Sequence, residues 1–314
     1  MATKKASKQA ASRELTMFQW KLKEIRQNWV AYLMIAPYMI LFTLFTVIPV
    51  LLSVFIGFTD FNMLEIPNIV WLQNYVTLFF DDDVFLICIK NTFIFACIVG
   101  PSSYIMSFLV AWFINELPPK VRALVTLVFY APSISGSVYM IWQTLFSSDS
   151  YGWANATLMK LGIIQTEINF FRDEKYVMPL CIVVSLWTSL GTSFLSFIAG
   201  LQGVDRSLFE AGAVDGVKNR WQELYSITLP SMKPQLMFGA IMSITGSFGF
   251  GGIVDALAGN PSVNYCAHTI MHHLGDYGGA RYEIGYSSAI AFILFLMMIG
   301  ANMLVKRLLS KIGT

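Results

Sequence analysis

Apolar and polar positions fall in long blocks along this chain instead of alternating. Six stretches contain no Asp, Glu, Lys, Arg or His: Trp29–Thr59, Asn91–Asn115, Ala123–Ser148, Tyr176–Leu201, Pro234–Val254 and Ile284–Val305. Each meets the roughly 20 residues that a helix needs to cross a bilayer. Helices are the expected form, because backbone groups in hydrocarbon must be satisfied within the segment. The pattern predicts an all-α membrane protein with six transmembrane helices. The first run, at 31 residues, is long enough to tilt or to begin in the interface. Pro49, Pro101 after Gly100, Pro132 before Gly136, and the run from Gly246 to Gly252 punctuate the spans. Such positions mark kinks beside a path or close helix packing through small residues.

Charge is distributed by side. Sixteen of the 21 Lys and Arg lie on one side: Lys4, Lys5, Lys8, Arg13, Lys21, Lys23, Arg26, Lys120, Arg122, Arg206, Lys218, Arg220, Lys233, Lys306, Arg307 and Lys311. Lys90, Lys160, Arg172, Lys175 and Arg281 fall on the other. The positive-inside bias places both termini in the cytoplasm and the connections at about 60–90, 149–175 and 255–283 outside. The arm before Trp29 has no small-residue cleavage site and reads as a retained signal anchor, with residues 1–12 disordered. At 56% apolar and 13% charged, the chain is too apolar for a soluble domain of 314 residues. The net charge of +2 follows from this sidedness and gives no hint of nucleic acid. Cys88, Cys97 and Cys181 lie in or beside spans and only Cys266 in an outer connection, so no disulfide framework is expected. Asp81, Asp82 and Asp83 read as a solvated acidic run.

Between the fourth and fifth runs lies one polar stretch, EAGAVDGVKNRWQELYSITLPSMKP at 210–234. Ser207 and Glu210 fit a capping box that starts a short helix, and Gly216 is its natural stop. Asn219 to Gln222 offers a second capped start. The second helix is expected to end before Pro230, with Pro234 in the first turn of the fifth span. Two short helices around a glycine turn make a rigid knob able to transmit force. Ala211, Gly212 and Ala213 are small enough to let a partner approach the backbone, and Glu210 can pair with a basic group.

This order of residues resembles the EAA coupling loop of binding-protein-dependent ABC importers. Glu210, Ala211, Asp215, Gly216, Ile227, Leu229, Pro230 and Pro234 match the family pattern. Gly212 stands where a second Ala is usual, a change expected to loosen the helix by about 1 kcal/mol. The stretches Gly200–Gly212, Ala131–Phe146 and Tyr151–Ile163 resemble carbohydrate-type permeases, including the maltose and glycerol-phosphate systems, with the maltose first-subunit type fitting better. The resemblance implies a type I (MetI-like) permease fold. It would comprise a cytoplasmic arm at 1–28, a first helix at 29–59 and a permease domain at 86–308 that carries the coupling loop at 204–234. It further implies that Glu210, Ala211, Gly212, Asp215, Gly216, Leu229 and Pro230 engage separate ABC ATPase subunits. The other partners would be a second permease, an extracytoplasmic solute-binding protein and membrane lipids, in a bacterial or archaeal cell membrane. Sugar or oligosaccharide is the implied cargo.

Several absences sharpen this reading. No Gly-Lys dipeptide occurs, so the chain has no Walker A loop; it carries no cofactor, and ATP and Mg belong on a partner. The spans lack the ionisable residues of proton-coupled carriers, which weakens the alternative of a secondary transporter or facilitator for a small uncharged solute. They also lack the base that a membrane enzyme would need. His268 and His272 could share a metal if their loop were helical, but only Asp276 is near enough in sequence to join them. No metal site is expected, and the loop with His268, His272 and His273 reads as a hydrated docking surface. A sugar path calls for an aromatic platform among hydroxyls. Trp187 with Ser185, Thr188, Ser189 and Thr192, and Ser243, Thr245 and Ser247 on the fifth run, are the path candidates.

Overall fold

The computed structural model describes Lys21 and residues 24–309. Lys4, Lys5, Lys8, Arg13, Lys23, Lys311 and the segment 1–12 lie outside the described residues. Among the described residues there is no strand, only one isolated antiparallel bridge between Thr59 and Ile69. The chain divides into two compact units between Phe55 and Ile56.

The first unit is dominated by one apolar run, made of α1 (Trp29–Phe42), a π-helical turn (Thr43–Val47) and α2 (Ile48–Ile56). Pro49 accounts for the π turn. In an α-helix a proline ring collides with the carbonyl four residues back. The wider turn, closed by the Ile48 N–H on the Thr43 carbonyl, relieves that collision. The same device recurs in the second unit, where a π turn at Leu224–Thr228 precedes Pro230.

The second unit contains α3 (Gln73–Phe80), α4 (Asp83–Asn115), α5 (Pro119–Ile134), α6 (Tyr139–Leu145), α7 (Trp153–Lys160), α8 (Glu174–Thr188) and α9 (Thr192–Gln202). Then follow α10 (Arg206–Val214), α11 (Arg220–Glu223), α12 (Leu229–Ser231), α13 (Lys233–Phe248), α14 (Gly252–Ala258), α15 (Ile270–Gly275) and α16 (Ile284–Leu309).

Among the described residues, four helices are long and apolar enough to cross a membrane: Trp29–Ile56, Asp83–Asn115, Glu174–Gln202 and Ile284–Leu308. The third and fifth predicted spans are bent pairs, not straight helices. α5 and α6 turn by 84°, and α13 and α14 by 42°. The breaks contain Gly136 in the first case and Gly249 with Gly251 in the second, residues that cost a helix about 1 kcal/mol each relative to Ala. The total is six if each bent pair counts as one span.

At 33 residues α4 is the axis of the unit, about 50 Å long at 1.5 Å per residue. It begins eight residues before the charge-free run because Asp82 caps it, its carboxylate accepting from the Phe85 N–H at 2.9 Å. α4, α9 and α13 pack on one another, and α16 lies on α13. Close approach of α9 and α13 depends on Gly239, where a Cβ would stand 2.3 Å from the Phe197 ring.

Candidate functional site

The polar knob between α9 and α13 is built from local signals and then locked by contacts. Asp205, not Ser207, is the N-cap of α10: its carboxylate accepts from the Ser207 N–H at 3.0 Å. That bond holds the Asp205 carboxyl below its usual range. The expected capping box does not form, because an equally good cap two residues earlier starts the helix first. Glu210 is left exposed, with no ion-pair partner among the described residues. α10 ends in a Schellman turn: Val217 N–H donates to the Gly212 carbonyl at 2.9 Å, Gly216 N–H to that of Ala213 at 3.4 Å, and Gly216 has φ of 89°. Asn219 then caps α11, accepting from the Gln222 N–H at 2.8 Å. The second helix does not stop before Pro230. It passes through the π turn and ends at Ser231, and Pro234 occupies the first turn of α13.

Ala211, Asp215, Gly216 and Pro230 are exposed, Leu229 is half-buried, and Gly212 is buried. Gly212 therefore does not offer its backbone to a partner, as small size alone had suggested. It receives Ile227 from the second helix of the knob. The knob is fixed to the C-terminal end of α4 by the Trp112–Trp221 ring pair, with centroids 5.2 Å apart, and by an Arg220–Glu116 ion pair at 3.5 Å. Exposed Leu208, Val214 and Tyr225 add apolar area that the sequence reading missed. The three-residue spacing of Leu208, Ala211 and Val214 was the available signal.

Within the bundle a cavity of about 290 Å³ is lined by seven hydroxyls: Ser103, Thr188, Ser189, Thr192, Ser193, Ser243 and Ser247. Met242, Gly246 and Phe250 complete its wall. The break between α8 and α9 delivers Ser189 and Thr192, and Ser193 accepts a hydrogen bond from Ser243 at 3.2 Å. No charged side chain lines the cavity. Hydroxyls both donate and accept, so this lining can exchange bonds with a neutral polar solute without trapping an ion. Five of the eight path candidates meet here: Thr188, Ser189, Thr192, Ser243 and Ser247. Trp187 does not; it packs edge-on against Trp142 with ring centroids 5.5 Å apart. Thr245 turns to α16, accepting from Asn302 at 3.2 Å. Ser103 and Ser193 were missed, since a serine in an apolar run carries no mark of the face it occupies.

The end of α4 remote from the knob is also ordered. His268, His272 and His273 are all buried, which corrects the expectation of a hydrated loop. Burial pushes the His268 imidazole down to about 4. Asp82 is likewise no solvated acid: its carboxylate lies 2.7 Å from His273 Nε2 and accepts from Tyr286 OH at 2.8 Å. Burial alone would raise its pKa, but bonds from the Phe85 N–H, Tyr286 and His273 outweigh that and hold it below the usual range.

No family model matches the chain. The chain is 30% identical over 295 residues to the probable ABC transporter permease protein YesP of Bacillus subtilis, covering 88% of this chain and 90% of that one. It is 28% identical over 279 residues to the arabinooligosaccharides transport system permease protein AraP of Bacillus subtilis, covering 88% and 87%. Among solved structures it is similar to a chain of a bacterial alginate ABC transporter in complex with an alginate pentasaccharide-bound periplasmic protein. The TM-score is 0.72 at 25% identity, covering 93% of this chain and 99% of that one. With the identity to YesP sustained along nearly the whole of both chains, this chain belongs to the ABC transporter permease family.

Proposed function

We propose that the chain is one permease half of an ATP-driven importer. With a second permease it would form the path for a sugar or oligosaccharide handed over by an extracytoplasmic binding protein. The observation that carries this reading is mechanical. The knob is clamped to α4 at Trp112, and the same helix contributes Ser103 to the hydroxyl-lined cavity. A force on the knob therefore reaches the cavity wall through one continuous helix. Glu210, Ala211, Asp215, Gly216, Leu229 and Pro230 meet a separate ATPase subunit, which supplies ATP and Mg, and Gly212 holds that face in shape from behind. Each bent pair counts as one of six spans, with both termini and the knob in the cytoplasm. The oligosaccharide cargo named for AraP and the alginate transporter supports the substrate class, as does the neutral lining of the cavity.

Reconstitution of the chain in vesicles with its second permease, ATPase and binding protein tests this. Uptake of a labelled oligosaccharide should require ATP and all four components. Uptake by the chain alone without ATP would refute it.

A further inference from the structure

Cys88 on α4 and His268 and His273 of the 259–283 connection are buried together, and their ligand atoms all lie within 4.8 Å of one another. The sequence separates Cys88 from the histidines by about 180 residues, so no spacing motif announces the group. Two further observations point to a ligand. His268 Nδ1 is buried without a hydrogen-bond partner, although the residue is only 3% exposed. An unpaired buried nitrogen is costly unless something occupies it. Second, His273 presents Nε2 to Asp82 at 2.7 Å, and a carboxylate taking one ring N–H is the arrangement that orients metal-bound imidazoles. A cavity of about 380 Å³ reaches His268 and His273 and borders Asp82, giving an ion a route in.

We propose that Cys88, His268 and His273 form a zinc site at the end of α4 remote from the knob, with Asp82 as the positioning carboxylate. One sulfur and two imidazole nitrogens suit a borderline-soft divalent cation. Three protein ligands leave a fourth tetrahedral position for water. On binding, the Cys88 thiol releases its proton to solvent and the thiolate coordinates. The backbone is already placed for this, because Asn91 Nδ2 donates to the Tyr265 and His268 carbonyls at 2.9 Å, and the Ile270 N–H donates to Thr92 Oγ1 at 3.0 Å. The metal acts as a clasp that holds the connection to α4.

The test is cobalt titration of the full-length chain, purified with its transporter partners and stripped with a chelator. One equivalent of Co2+ should give a sulfur-to-cobalt charge-transfer band and the strong visible bands of a tetrahedral site, both abolished by one equivalent of Zn2+. The charge-transfer band should vanish in C88S and persist in C97S and C266S. H268A should weaken cobalt affinity roughly tenfold or more, and D82N, which keeps a helix cap, about 10- to 100-fold. Should C88S fail to assemble, the triple variant C97S/C181A/C266S assigns the band by leaving Cys88 as the one thiol. Absence of the band in the wild type, its loss in C266S, or unchanged affinity in H268A overturns the proposal.

Discussion

Gly212 and Ile227 touch across the knob so closely that a Cβ on Gly212 would stand 2.6 Å from Ile227 Cδ1. The glycine is thus where the two short helices meet, and its carbonyl also receives the Val217 N–H that closes the Schellman turn. A reading of Gly212 as a loosened alanine inverts its role. Whatever it loses in helix propensity is set against a packing contact that a larger residue makes only if Ile227 shifts.

Substitution at this contact should separate the two terms. Gly212→Ala gains about 1 kcal/mol of helix propensity and forces Ile227 to shift, at about 0.5–1.5 kcal/mol, so coupling should survive. Gly212→Leu overpacks by about 1–3 kcal/mol and should uncouple ATP hydrolysis from uptake. Adding Ile227→Ala to Gly212→Leu should restore part of the coupling. Uptake and ATPase rates in vesicles decide it, and an unaffected Leu variant would show that the contact does not matter.

Gly216 needs its positive φ of 89°, and nothing lies within 4 Å of the site of its missing Cβ. The penalty for substitution is therefore conformational alone. Gly216→Val should abolish substrate-stimulated ATP hydrolysis, while Gly216→Asn, which tolerates this region, should retain much of it. Exposed Ala211→Trp should fail as well, by blocking approach of the ATPase. Both failing variants should reach the membrane in wild-type amounts on immunoblots.

Among the contacts that fasten the knob to α4, the ring pair and the ion pair are unequal. The Arg220–Glu116 pair is largely solvent-exposed and worth at most about 1 kcal/mol. Trp112 is 9% exposed, and truncating a tryptophan buried to that degree costs about 3–5 kcal/mol. Arg220→Gln should leave uptake near wild type. Trp112→Ala should lower both thermal stability and coupling, and equal effects of the two would contradict the ranking.

In the cavity, Ser243→Phe fills part of about 290 Å³ and should depress uptake several-fold while basal ATP hydrolysis of the assembled transporter is kept. Trp187→Phe, off the cavity wall, should lower thermal stability with little change in the apparent substrate affinity. A large affinity loss for Trp187→Phe would restore that residue to the path.

By itself, the sequence determined the protein's class and much of its local geometry. Length and hydropathy marked the apolar segments, since crossing hydrocarbon demands a fixed number of apolar residues. Gly216 at a left-handed turn, Asn219 as a cap and Pro234 in a first turn were legible because each requirement acts within a few residues. The same locality misled at Ser207, where Asp205 supplied a competing cap.

Tertiary structure decided which way side chains face and what they meet. It turned Gly212 inward, took Trp187 off the cavity and added Ser103 and Ser193 to it. It joined Asp82 to His273 across 191 residues of chain. The physical reason is phase: a helix has a buried and an open face only relative to its neighbours. The positions of α4, α9, α13 and the connection before α16 are set by packing between segments far apart in the chain, which no short window of sequence contains.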